Sequence, residues 1–180
     1  MKEKIIVTGS SGLIGTKLVA DLEQQFELVG FDHSNPIMPV DIADIDSLKS
    51  AFEKHQDAKA VVHLAAYTDV TAAHMQAGDR DGSAYRINVD GSKNVALCAK
   101  EYGQHMIHMS TAYVFSGDKD APYTEEDELS PIEWYGQTKA YAEQAVTSVG
   151  PKYTILRIDQ PFRSDAFGKL DTVHRIIEGL

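Results

Sequence analysis

The chain has 180 residues, 43% of them hydrophobic and 24% charged, which is enough for one globular domain with its own core. Lysine and arginine number 17 against 27 aspartates and glutamates, and the net charge of −10 leaves no basic face to neutralise nucleic-acid phosphate or anionic lipid, so neither nucleic acid nor membrane is an expected partner. No run approaches a membrane span, the first residues pass into a strand without a leader's apolar core, and the single cysteine, Cys98, allows no internal disulfide; the expected location is the cytoplasm.

The β-branched run before Thr8 ends in Gly9, Gly12 and Gly15, and a helical period of Leu13, Ile14, Leu18 and Leu22 follows. A strand that turns into a helix in this way points the helix N-terminal amides at an anion. Gly9 suits a tight turn, Gly12 a close approach of backbone to phosphate, and Gly15 the packing of helix on strand. The spacing is one residue longer than the common dinucleotide fingerprint, with Ser10 and Ser11 filling the gap, and an ordinary glycine-rich turn is the competing reading. A second strand over residues 27–31 stops at Asp32, where a dinucleotide fold places the acid that accepts ribose hydroxyls. A carboxylate there repels a 2′-phosphate, and His33, Ser34, Asn35 and Pro36 include no arginine, so NAD(H) is favoured with NADP(H) as the alternative; a turn aspartate is the competing reading.

Met38, Pro39 and Val40 form a short strand candidate, and Asp44 caps a helix through Leu48, Phe52 and His55. Residues 60–66 are an apolar run without polar alternation, as expected of a central parallel strand covered on both faces. Residues 67–81 read as irregular, and a long helix spans 83–102 with Cys98 as a buried structural thiol. Asn88 inside that helix either faces water or bonds a neighbouring loop, and both remain open. The next strand, 105–109, delivers Ser110 and Thr111 at its carboxyl end, where open α/β sheets bind ligands. His105 and His108 fall on opposite strand faces, and the histidines at 33, 55, 63, 74 and 174 form no ligand pattern, so no metal site is expected. An acidic loop containing Glu125 to Glu128 precedes a helix that opens at Trp134 and carries Tyr135 and Lys139 on one face. A strand over 153–158 and a helix over 172–180, capped by Asp171, complete the chain. The pattern predicts an α/β, doubly wound Rossmann fold with a parallel central sheet over residues 1–180.

Seven motifs occur in order: Thr8-Gly9-x-x-Gly12-x-x-Gly15, Asp41-Ile42, His63-Leu64-Ala65-Ala66-Tyr67-Thr68-Asp69-Val70, Asn88-Val89-x-Gly91, Ser110-Thr111-Ala112-Tyr113-Val114-Phe115, Tyr135-Gly136-x-x-Lys139 and Leu156-Arg157. On these the chain resembles the extended short-chain dehydrogenase/reductases, and within them the branch of dTDP-4-dehydrorhamnose reductases and related sugar-nucleotide-binding proteins. The resemblance implies a catalytic trio of Thr111, Tyr135 and Lys139. It implies cofactor contacts from Gly9, Ser11, Gly12, Leu13, Ile14 and Gly15, from Asp32, from Asp41 and Ile42 flanking the adenine, and from Leu64, Ala65 and Ala66 along the groove. Tyr67 would lie near the nicotinamide, Asn88 would stabilise the site, and Lys139 would also bind the nicotinamide ribose. The substrate would be a nucleotide-activated keto-sugar, with a homodimer left open.

Hydride delivery to a carbonyl leaves an alkoxide that needs a proton, which Tyr135 would donate while Thr111 holds the same oxygen. An ammonium about 4 Å from the phenol at an effective dielectric of about 20 contributes roughly 4 kcal/mol, which before desolvation would bring the phenol from about 10 to near 7. Two departures stand out: Ala112 occupies a position where the reductase branch commonly has aspartate, and the family continues with a C-terminal substrate-binding portion that is largely absent here, with residues 159–180 as its start; the stretch after Arg157 also lacks the tyrosine-glycine pair of many relatives. The chain is therefore expected to hold a dinucleotide and to form one wall of a sugar site. Two alternatives are a non-catalytic NAD(P)-binding subunit resembling the regulatory subunit of methionine adenosyltransferase, and a nucleotide-sugar epimerase or dehydratase; Ala112-Tyr113 lacks the acidic pair usual in the dehydratases.

Overall fold

The computed structural model describes residues 2–165 and 171–179. Five strands, β1 (Lys4–Thr8), β2 (Glu27–Phe31), β3 (Ala60–His63), β4 (His105–Thr111) and β5 (Lys152–Ile158), form one sheet in the order β2-β1-β3-β4-β5, and every pairing is parallel. The chain leaves β1 in one direction to make β2 and in the other to make β3, β4 and β5. Right-handed crossovers therefore place α1 (Leu13–Leu22) on one face and α2 (Ile45–Glu53), α5 (Ser92–Glu101) and α6 (Trp134–Val149) on the other. The latter three helices share one core with Ile6, Phe31, Val61 and Met106, built around Leu48, Phe52, Val95 and Cys98. In register, Thr8 pairs with Phe31 on one side and His63 on the other. The residues that follow, Gly9, Asp32 and Leu64, consequently emerge at one level where the strand order reverses, the position that forms a crevice in such sheets.

The expected strand at Met38, Pro39 and Val40 does not form. Pro36 and Pro39 carry no N–H for a ladder, and Asn35 Oδ1 accepts from Ile37 N at 2.9 Å and Met38 N at 3.1 Å, curling the segment into a turn that buries Val40. Residues 67–81, read as irregular, contain α3 (Val70–His74), capped by Asp69 through Ala72 N at 2.9 Å. The long helix is continuous but not uniform: α4 (Ser83–Tyr85) passes through a π-helical turn, Arg86–Gly91, before α5. Asp44 caps α2 through the Asp46 and Ser47 amides, and the helix stops at Glu53 before His55. Asp171 caps α7 (Thr172–Glu178), while Leu180, the expected end of that helix, lies outside the described residues.

Candidate active site

Gly9 leaves β1 at φ +68°, and a Cβ there would sit 2.6 Å from the Ala65 backbone nitrogen. Gly15 is as confined, since its Cβ would lie 2.3 Å from the Gly9 carbonyl oxygen, so α1 starts in direct backbone contact with the turn that precedes it. Gly12 is the N-cap of α1 and offers no side chain to the first amides, and no acidic residue occupies the first turn. The N–H groups of Leu13, Ile14 and Gly15 have no intrahelical acceptor and carry the positive end of the helix dipole.

These amides face a cavity of about 640 Å³. All twelve residues expected along the pyrophosphate, ribose, adenine and groove line it: Gly9, Ser11, Gly12, Leu13, Ile14 and Gly15 on one side, Asp32, Asp41 and Ile42 at one end, and Leu64, Ala65 and Ala66 along the floor. Sequence reasoning missed Ser34, Thr68, Ser83, Arg86, Ile87 and Pro161, which also line it. Of these only Ser34 carried a local signal, the hydroxyl two residues beyond an aspartate that makes a turn.

Asp32 is both a turn residue and part of the cavity wall. Its Oδ1 accepts from Ser34 N at 3.0 Å and Ser34 Oγ at 2.7 Å, while Oδ2 accepts from Ser11 N at 3.0 Å and ties this lip to the glycine turn. Burial, to 8% exposure, favours the neutral acid, but the bonds from Ser34 and Ser11, with a charge contribution from His33, outweigh it and hold the carboxyl below its ordinary value. Asp41 Oδ1 accepts from Ala43 N at 2.8 Å, and Ile42 packs so closely on Gly91 that a Cβ there would lie 2.7 Å from its Cδ1.

Tyr67, Asn88, Thr111, Tyr135 and Lys139 lie outside the cavity lining and form a second group. Asn88, fully buried in the π-helical turn, accepts from Tyr67 N at 2.8 Å and donates to Tyr67 O at 3.2 Å and Thr138 Oγ1 at 2.9 Å. Thr138 Oγ1 in turn donates to Tyr135 O at 2.7 Å, so one amide side chain joins the segment after β3 to the start of α6. The open alternatives for Asn88 thus resolve to the loop contact. Glu133 caps α6 by accepting from the Tyr135 and Gly136 amides, both at 2.7 Å. Gly136 lets α6 touch the turn after β4, where a Cβ would meet Tyr113 O at 2.3 Å, and this contact delivers Tyr135 to the end of β4.

There the Tyr135 phenol is raised to about 12 by burial, against a hydrogen-bonding contribution from Thr111, and with the Glu133 charge also raising it. The expectation of a phenol near 7 does not hold in this structure. Lys139, 3% exposed, instead donates to Met109 O at 2.7 Å, and burial drives its ammonium down to about 8, opposed by the Glu143 charge. Beneath this group His63 is hydrogen-bonded with Thr8 Oγ1 at 2.7 Å and Ser92 Oγ at 2.9 Å, and burial pushes it down to about 3. His108 stacks on it at 5.3 Å and is held well below its ordinary value, again by burial. No group of three histidine, cysteine, aspartate or glutamate residues among those described is arranged to hold a metal, and no described helix is long and apolar enough to cross a membrane.

The chain is 36% identical over 154 residues to a dTDP-4-dehydrorhamnose reductase of Sinorhizobium fredii, covering 86% of this chain and 49% of that one. It is 35% identical over 159 residues to a probable low-salt glycan biosynthesis reductase of Haloferax volcanii, covering 84% and 51%. A dTDP-4-dehydrorhamnose reductase of Bacillus anthracis solved in complex with NADP superposes with a TM-score of 0.87 at 32% identity, over 99% of this chain and 59% of that one. The chain spans about half the length of the curated relatives it matches. The family described as RmlD substrate binding domain matches residues 2–176, and the chain belongs to that family.

Proposed function

We propose that this chain is the dinucleotide-binding part of a reductase of nucleotide-activated keto-sugars, with its cofactor in the cavity between the glycine turn and Asp32. The observation that carries the reading is the presence of two groups at the carboxyl ends of the strands of one sheet: a cavity bounded by helix amides and the Asp32 carboxylate, and, at the end of β4, Thr111 and Lys139, both buried, with the half-buried Tyr135. The cavity fits a nicotinamide dinucleotide, because Gly9 and Gly15 leave backbone where any side chain would intrude and the α1 amides suit a pyrophosphate.

The bound, reduced cofactor supplies a hydride. Asp32 would accept the adenosine ribose hydroxyls with the lone pair left on Oδ2, and Asp41 and Ile42 would flank the adenine. Lys139 would leave the Met109 carbonyl for the nicotinamide ribose, near the backbone of Ala66 and Tyr67 that Asn88 holds in place. Thr111 Oγ1 would hold the oxygen of the carbonyl under reduction, and Tyr135 would hand it the phenolic proton. A phenol near 12 is fully protonated at neutral pH, the form a proton donor needs. A second copy of this chain is a further proposed partner, and the cytoplasm the proposed location.

The charged Asp32 supports NAD(H), since it repels a 2′-phosphate. NADP(H) is the second reading, favoured by the complex of the Bacillus anthracis relative. Parallel fluorescence titrations decide it: tighter NADH binding is expected, and tighter NADPH binding overturns the assignment of Asp32. For the reaction, Tyr135→Phe in the full-length protein is expected to abolish reduction of a dTDP-4-keto-sugar while leaving NADH affinity unchanged. Full turnover by that variant would refute the proton donor.

A further inference from the structure

Below the site lies a buried carboxylate that the proposed reaction does not use. Glu143 is 3% exposed on α6. Its Oε1 accepts from Ser110 Oγ at 2.5 Å and from Arg157 Nε at 3.1 Å, and its Oε2 accepts from Arg157 Nη2 at 2.8 Å. One side chain therefore joins α6, the carboxyl end of β4 and the edge strand β5. Ser110 immediately precedes Thr111, and Glu143 stands one helical turn from Lys139, on the same face of α6.

We infer that Glu143 is a positioning residue: its carboxylate anchors Ser110 so that Thr111 meets Tyr135, and it supplies the opposite charge to the buried Lys139 ammonium. The inference rests on the proposed function, because it assigns Glu143 to the group read there as reactive. A fully buried ammonium is costly unless an opposite charge compensates it. The other charged or titratable groups around Lys139 do not compensate it. His108 on β4 and His63 on β3 are neutral, since burial holds both far below their ordinary values, and Tyr135 stays protonated. Arg157 on β5 is a second cation, held above its ordinary value chiefly by its bond to Glu143, with Glu125 adding a smaller effect. Glu143 is the anion that acts on Lys139, opposing the effect of burial. A carboxylate serving only to bind Arg157 would have no need to touch the residue next to Thr111.

The test is the titration of the Lys139 side chain, followed by NMR of its Cε and Nζ in the wild-type chain, Glu143→Gln and Glu143→Asp. Glutamine keeps the shape and an acceptor for Ser110 but removes the charge. In Glu143→Gln the Lys139 midpoint is expected to fall by about one pH unit, and Glu143→Asp, which restores the charge, is expected to recover most of it. The pH at which NADH binding is lost should move in the same direction. If Glu143→Gln does not fold because it strands the half-buried Arg157, the double variant Glu143→Gln/Arg157→Met removes both charges of the pair, and a smaller downward shift is expected, because loss of the Arg157 cation partly offsets loss of the carboxylate. An unmoved Lys139 midpoint in a folded variant overturns the inference. Failure of the wild-type chain to bind NADH would instead overturn the proposed function, and the NMR titration distinguishes the two because it needs no cofactor.

Discussion

Asn88→Ala removes three hydrogen bonds from a fully buried site: from Tyr67 N at 2.8 Å, to Tyr67 O at 3.2 Å and to Thr138 Oγ1 at 2.9 Å. At about 1 kcal/mol net for each bond, and with the Tyr67 amide left without its acceptor, the expected loss is about 2–4 kcal/mol. That is a large fraction of the stability of an ordinary domain but leaves most of the chain folded in the absence of denaturant. The assay is urea unfolding followed by far-UV circular dichroism, paired with an NADH titration. The unfolding midpoint should fall with little change in slope, and NADH affinity should weaken because Ala65, Ala66 and Tyr67 lose the clamp that positions them. Asn88→Asp keeps the acceptor for Tyr67 N but loses both donors and buries a charge, so it should be no better than alanine. A loss below about 0.5 kcal/mol for Asn88→Ala, the range of ordinary surface substitutions, would refute the assignment of Asn88 as a clamp.

Three further outcomes are expected. Gly15→Ala places a Cβ 2.3 Å from Gly9 O and 2.8 Å from Ser10 Cα, backbone atoms that can yield only if the turn moves, so NADH affinity should fall about tenfold or more; affinity within twofold of wild type would contradict the cradle. His63 is pushed down to about 3 by burial, so between its ordinary value of 6.5 and about 3 the unfolded chain binds the proton and the folded chain does not. Stability should therefore fall with acidification over that window by about 1.4 kcal/mol per pH unit from His63, and His63→Asn, which retains partners for Thr8 and Ser92, should flatten the dependence; an identical pH profile in the variant would argue against it. Glu133→Ala leaves the Tyr135 and Gly136 amides without their cap and should cost about 1 kcal/mol in urea unfolding, with no loss excluding a capping role.

What could be read from the chain alone was what short-range backbone chemistry determines. Glycines at 9, 12 and 15 mark a strand-to-helix turn because backbone excludes a side chain at 9 and 15 and crowds one at 12, and Asp44 and Asp171 announce helix starts because their carboxylates bond amides two or three residues on. The uninterrupted apolar run at β3 announced a central parallel strand for the same kind of reason. With the seven motifs, this sufficed to gather twelve residues that line one cavity. The tertiary structure decided what depends on partners distant in sequence. Asn88 had two open outcomes until Tyr67 and Thr138, 21 and 50 residues away, supplied its bonds. Spacing put Tyr135 and Lys139 on one helix face and suggested a phenol lowered by its neighbour. Burial raised that phenol instead, and the carbonyl of Met109 on another strand took the ammonium. Desolvation and the competition for buried hydrogen-bond partners are properties of the packed assembly, and no local pattern of residues encodes their sign.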